Sequence, residues 1–261
     1  MNSPRTGTNG SGSDGPEIIA HRGASHDAPE NTLAAVRLAW HQGADAVEVD
    51  VHCSRDGRLV VIHDATTRRT AGLNRKVSSQ TLAQLRSLDA GRWKARHWAG
   101  ERIPTLEEVL ATVPDGKRLF VELKCGPEGI PDFVRIAGAA PRQTAPVIAI
   151  GFSRSTLHRL KAQSPGLEVC WIHRFRRSWR TGRWRPTAAE LIGAAKESGL
   201  DGLDLGAGGP LNASMVHQLK AAGLKVYVWT VDSPAKARKL SAAGVDGITT
   251  NRPGWLRRQL A

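Results

Sequence analysis

Nine short runs of β-branched residues and leucine recur along the chain, and most segments between them carry helical periodicity. The runs are Glu17–His21, Ala46–Val51, Leu59–His63, Leu119–Leu123, Val147–Ile150, Glu168–Ile172, Gly202–Leu205, Lys225–Thr230 and Gly247–Thr250. Near-continuous apolar runs of this length suit strands whose sheet is covered on both faces. Between them, Thr32–Gln42 puts Leu33, Val36 and Trp40 on one face and stops at Gly43. Ala188–Ser198 stops at Gly199, and Ser214–Ala222 at Gly223. Glycine just past the last turn accepts the left-handed conformation that closes a helix. Strands alternating with helices predict a parallel α/β sheet. The 261 residues suit a single α/β barrel, which takes about 250.

One stretch breaks the alternation. Residues 64–102 hold no convincing strand–helix unit and are expected to be an insertion, a small cap with one short helix near Gln80–Ser87. The chain rejoins at "IPTLEEVL", where Thr105 can cap a helix and Glu108 stands three residues on. Residues 1–16 are rich in Gly, Ser and Asn and lack the apolar segment of a signal peptide, so a flexible tail ending near Pro16 is expected, with the barrel over residues 17–261.

The polar groups cluster at the strand ends. His21 and Arg22 close the first run, "AVEVDV" carries Glu48 and Asp50, and "LVVIHD" ends in His63. "LFVELK" gives Glu122 and Lys124, "YVWT" gives Trp229, and "ITTN" ends in Asn251. A parallel barrel keeps its active site at that end. Residues two apart on a strand share a face, so Glu48 and Asp50 point together, as do Glu122 and Lys124. Carboxylates in an apolar lumen are costly unless paired or bound to a metal. An all-carboxylate set suits a hard cation, Mg²⁺ or Ca²⁺, better than zinc. The plain alternative is a surface strand with solvated carboxylates, against which Val47, Val49 and Val51 count.

His21 and His63 titrate near neutrality and suit general acid–base work on a P–O bond. Arg22 offers forked donors to a phosphate and Lys124 a point charge; pairing with Glu48 or Glu122 is compatible with that role. Asn31 and Thr32 are expected to cap the first helix. His52 is read as a rim residue beside the Glu48 and Asp50 face, and Trp229 as either cavity wall or barrel core.

Charge adds a bias about partners. The chain carries 37 Lys+Arg against 24 Asp+Glu, a net charge of +13 and a pI near 10.5, which favours phosphorylated substrates, polyanions or acidic membrane surfaces. Cys53, Cys125 and Cys170, odd in number and irregular in spacing, argue against a disulfide framework or zinc knuckle. No stretch approaches the ~20 apolar residues of a membrane span. A cytoplasmic protein is the simplest expectation.

"AHRGASHDAPENT", "GADAVEVDVHCSRDGRLVVIHD", "IPTLEEVL", "FVELK", "GLDGLDL", "VYVWTVD" and "GVDGITTNRP" follow in that order. Together they resemble the glycerophosphodiester phosphodiesterase family from about Ile18 to Pro253, the early segments most specifically. The resemblance implies a (β/α)8 TIM barrel with an inserted cap after the second strand region. It also implies a divalent metal on Glu48, Asp50 and Glu122, an acid–base pair in His21 and His63, and Arg22 and Lys124 near the phosphate. Asn251 departs from the aspartate more usual before Arg-Pro. The implied reaction releases glycerol 3-phosphate and an alcohol.

Two other readings stand beside this one. Lysophospholipase D-type relatives share the core and differ in substrate. A non-catalytic barrel that binds phosphates or polyanions would draw on Trp171–Pro186, where six arginines interleave with three tryptophans. That stretch is read first as a solvated loop. A weak contact with an anionic membrane surface is its second reading, and no specific nucleic acid partner is expected.

Overall fold

In the computed structural model, which describes residues 15–139 and 147–260, eight of the apolar runs become barrel strands. These are β1 (Glu17–His21), β2 (Ala46–Cys53), β4 (Arg118–Leu123), β5 (Val147–Gly151), β6 (Glu168–His173), β9 (Gly202–Gly206), β10 (Lys225–Trp229) and β11 (Gly247–Thr250). They pair in parallel in the order β1-β11-β10-β9-β6-β5-β4-β2, and β2 returns to β1 to close the ring. Helices run over the outside between the strands, the fold of a TIM barrel. The tail expected over residues 1–16 lies outside the described residues except for its last two.

The strand pattern explains how apolar runs can hide charge. In β2, Val47, Val49 and Val51 face outward into the helical layer. Ala46 faces the lumen with Ile19, Phe120 and Tyr227, and Glu48 and Asp50 follow it at two-residue spacing. The register sets His21 beside Glu48 and Asp50 beside Glu122. Three neighbouring strands thus deliver their polar residues to one level at the C-terminal mouth. The opposite end is closed by Arg118, which donates to Glu17 at 2.9 Å, Glu168 at 3.0 Å and the Tyr227 hydroxyl at 3.1 Å.

The ninth run behaves differently from expectation. Only Leu59–Val61 is a strand (β3), and it pairs antiparallel with the far end of β2, outside the ring. The chain beyond it forms two short helices, Arg68–Ala71 and Leu82–Arg86, where one was expected. This excursion has its own small core of Val60, Ile62, Val77, Leu85, Ala90 and Ile103. The outer layer resumes at Thr105, whose hydroxyl accepts from Glu108 N while Glu108 Oε2 accepts from Thr105 N, a complete capping box. The arginine-rich stretch is not a plain loop either: Arg176–Arg177 (β7) and Trp184–Arg185 (β8) pair as an antiparallel hairpin. Among the described residues, no helix is long and apolar enough to cross a membrane.

Candidate active site

The first strand ends in a tight, built corner. After His21 the chain turns through Arg22 in the left-handed region (φ 56°) and through Gly23 (φ 77°). A Cβ on Gly23 would come within 2.5 Å of the Ala35 backbone, so only glycine lets the corner pack on the first helix. Nine residues on, Asn31 is also left-handed (φ 59°), and its amide donates to the Arg22 carbonyl at 3.0 Å. Two non-glycine residues with positive φ in one loop mark a site whose surroundings dictate its backbone.

Glu48, Asp50 and Glu122 are 3%, 0% and 7% exposed, which removes the surface-strand alternative. One carboxylate oxygen from each lies within 4.8 Å of the others. Arg22 Nε is 3.0 Å from Asp50 Oδ2 and its Nη1 donates to Glu30 at 2.9 Å. Its side chain therefore pairs with Asp50 and Glu30 rather than with Glu48 or Glu122, while its backbone N–H donates to Glu48 Oε2 at 3.0 Å. Lys124 Nζ lies 3.1 Å from Asp50 Oδ1 and 2.6 Å from Glu122 Oε1. Burial raises Glu48 well above the usual carboxylate range, and the nearby Asp50 and Glu122 add to it. Burial and Asp50 push Glu122 up to about 7. For Asp50, burial is outweighed by the Arg22 and Lys124 charges, which hold it at about 2.

This donor set fits a divalent cation. Asp50 Oδ1 and Glu122 Oε1 are buried acceptors that share the one Lys124 ammonium, at 3.1 and 2.6 Å. Buried acceptors normally find donors. Three carboxylates converging with oxygens to spare match the oxygen ligands that hard divalent ions prefer.

The two histidines line the same chamber. His21 Nδ1 is 2.7 Å from Asn251 Oδ1, and Asn251 Nδ2 donates to Asp232 at 2.6 Å. Since the amide oxygen accepts, His21 carries its proton on Nδ1 and leaves Nε2 free. Burial, then the Arg22 charge, lower the His21 pKa. His63 Nδ1 is 2.7 Å from Asp64 Oδ1. Asp64, hydrogen-bonded by Arg69 at 2.8 Å, is held at about 2, chiefly by that bond. Arg69 also donates to both oxygens of Glu30 at 2.8 Å. A relay of charges thus runs Arg22–Glu30–Arg69–Asp64 between the two imidazoles.

A cavity of about 50 Å³ brings together His21, Arg22, Glu48, His63, Glu122 and Lys124, with Trp229 on its wall. Trp229 is fixed by its indole N–H donating to the Asp204 carbonyl at 3.2 Å. Thr32 caps the first helix, accepting from Ala35 N at 3.3 Å. Asn31 does not share that task. It is buried, donates to Asp50 Oδ2 at 2.8 Å and accepts from Asp50 N at 3.2 Å. β1 has ended by this level, so the Asp50 amide has no strand there to pair with, and Asn31 supplies the acceptor. His52 bonds the His63 carbonyl at 3.0 Å and sits outside the acidic cluster. Glu30, Asp64, Arg69, Asp232 and the buried Asp204, with an unpaired Oδ1, were not singled out from the sequence. Asp64 had the one local signal, following His63 directly.

Comparison with known proteins shows the family and the fold. The profile of the glycerophosphoryl diester phosphodiesterase family matches residues 21–255. A glycerophosphodiester phosphodiesterase of Caldanaerobacter subterraneus subsp. tengcongensis is 34% identical over 247 residues, covering 92% of this chain and 95% of the relative. An Oleispira antarctica phosphodiesterase, solved in complex with the product sn-glycerol-3-phosphate, superposes with a TM-score of 0.82 at 30% identity, over 94% of this chain and 96% of its own. Glycerophosphodiester phosphodiesterase from Agrobacterium tumefaciens gives 0.75 at 27% identity, over 93% and 99%.

Proposed function

The chain belongs to the glycerophosphoryl diester phosphodiesterase family, and from that premise we propose that it hydrolyses glycerophosphodiesters to glycerol 3-phosphate and a free alcohol by two-histidine catalysis. The observation that carries this is the meeting of two oriented imidazoles with a buried acidic cluster in one chamber. Residues 17–261 act as one barrel domain in this reading, with the excursion after β2 as its cap, and the cytoplasm is its proposed setting.

Glu48, Asp50 and Glu122 would hold the metal, Mg²⁺ or Ca²⁺. When bound, such an ion supplies Lewis-acid stabilisation of charge on the phosphoryl oxygens. Arg22 and Lys124 line the same cavity and offer donors to those oxygens as charge builds. His21, kept neutral by burial and by Arg22, accepts the proton of the attacking oxygen at Nε2. Asn251 maintains the tautomer that makes this nitrogen available. His63, its Nδ1 held by Asp64 Oδ1 at 2.7 Å, donates from Nε2 to the departing alkoxide. Trp229 forms the apolar wall against which the glycerol moiety packs.

An enzyme-coupled assay for glycerol 3-phosphate, run on several diesters with Mg²⁺ or Ca²⁺, tests the proposal. Release is expected, and none from folded protein would reject it. A lysophospholipase D-type substrate is the second reading. Trp179, 87% exposed at the tip of the β7–β8 hairpin, favours it, because an exposed tryptophan among arginines suits a lipid interface.

A further inference from the structure

The arginine-rich stretch after β6 has no part in the reaction described so far. Its first residue beyond the strand, Arg174, folds over the mouth of the barrel. The guanidinium lies 4.7 Å from the Trp229 ring centre and 5.8 Å from that of Phe152. Arg174 and Phe152 line the small chamber over the acidic cluster and also a cavity of about 540 Å³ beside it. That volume is in the range of small-ligand sites, about 300–1,000 Å³. The hairpin adds Arg176 and Arg185 to its lining. Its one acidic lining residue, Glu190, is already ion-paired with Arg185. Among the described residues, Arg174 and Arg176 form no salt bridge.

The small chamber and this cavity share Phe152 and Arg174, so a diester held at the cluster would have room to extend its leaving group into this flank. A quaternary ammonium there would need a free aromatic face or a free carboxylate. Arg174 already occupies a face of Trp229 and lies against Phe152, and Glu190 is taken by Arg185. An anionic group would instead meet two unpaired guanidiniums, whose forked donors suit carboxylate and phosphate oxygens. We propose that the preferred diesters of this enzyme are those whose leaving alcohol carries an anionic group of its own, a carboxylate or a second phosphate, recognised by Arg174 and Arg176. This rests on the phosphodiesterase reading and names the substrate class of that same site.

The test compares kcat/KM for matched diesters. Glycerophosphoserine and glycerophosphoethanolamine differ by one carboxylate; glycerophosphoglycerol phosphate presents a second phosphate, and glycerophosphocholine a bare cation. The serine diester should exceed the ethanolamine diester by about tenfold, the scale of one charge-assisted contact. Comparing the serine and phosphate-bearing diesters shows which anion the arginines read. Arg176→Glu should erase or invert the serine-to-ethanolamine ratio while leaving turnover of the ethanolamine diester within about twofold, since Arg176 is exposed and lies outside the catalytic chamber. A ratio near one in the parent enzyme, or one that survives Arg176→Glu, overturns the proposal and leaves the phosphodiesterase reading intact. No turnover of any diester removes both. If Arg176→Glu instead abolished sedimentation with phosphatidylglycerol vesicles and left the ratio unchanged, the arginines would serve a membrane surface, and the proposal would fail.

Discussion

Replacing Asn31 should cost far more than a lost helix cap. Its amide donates to the Asp50 carboxylate at 2.8 Å, and its carbonyl accepts from the Asp50 amide at 3.2 Å, both bonds buried. Asn31→Ala removes a hydrogen bond to a charged group, worth about 1.5–3 kcal/mol, and leaves a buried amide unpaired, about 1–3 kcal/mol. It also forces alanine into the left-handed region, at about 1–2 kcal/mol. These terms overlap, so a loss of about 3–5 kcal/mol of unfolding free energy is expected. Asn31→Gly removes the same bonds without the backbone strain and should lie about 1 kcal/mol above alanine, because glycine's larger unfolded-state entropy offsets part of the relief. Urea denaturation of the parent and both variants in chelator measures this directly. A helix-cap role would predict about 1 kcal/mol for alanine and no more than a few tenths for glycine. That pattern would refute the reasoning.

Three further outcomes follow from the site. Chelation should abolish turnover with the far-ultraviolet circular dichroism retained, and Glu48→Gln, Asp50→Asn and Glu122→Gln should each weaken divalent-ion binding by calorimetry; unchanged affinity in all three would discard the ligand set. His21→Ala and His63→Ala should each lower turnover by about 10²–10⁴-fold while retaining ion affinity, and full activity in both would discard the acid–base pair. In metal-free protein, Glu122 (about 7) and Glu48 hold protons that the unfolded chain has released above its ordinary pKa near 4.5. In chelator their contribution to folded stability should therefore fall as pH rises from about 4.5 to 7, while His21, lowered by burial, acts in the opposite sense, so the change in melting temperature from pH 5 to pH 7.5 should be more negative in the parent than in Glu122→Gln. Asp50, depressed to about 2, acts in the opposite sense only below its ordinary 3.8. An equal change in the parent and in Glu122→Gln would contradict the placement of these carboxyls.

The strand-end chemistry was legible because it is local. Two-residue spacing put Glu48 with Asp50, and apolar flanks put both indoors. What stayed hidden depended on partners remote in sequence. Asn31 precedes a helix as a capping residue would, and nothing nearby reveals that Asp50, nineteen residues on, claims its side chain. Leu59–Val61 has the composition of a barrel strand, but pairing direction is decided by the short return from Cys53, which permits only an antiparallel neighbour. Arg69 lies in a stretch with no periodicity, so its bond to Asp64 was invisible until the excursion folded. The stretch Trp171–Pro186 showed its charge but not its hairpin, since arginine and tryptophan do not reveal which residues will face each other.

Arg69 gives the excursion a significance that its size does not suggest. It comes from the first short helix of the excursion, and it braces Glu30 and Asp64 together. The segment carrying it packs on a small core of six buried residues, to which it gives Val77, Leu85 and Ala90, a much smaller unit than the barrel. Such a unit can open while the rest of the protein stays folded. When it does, Asp64 loses its anchor, and His63 loses the partner that orients it, although every barrel strand remains paired. Filling this minor core should therefore steady Asp64 and His63 against heat without any change to the barrel itself.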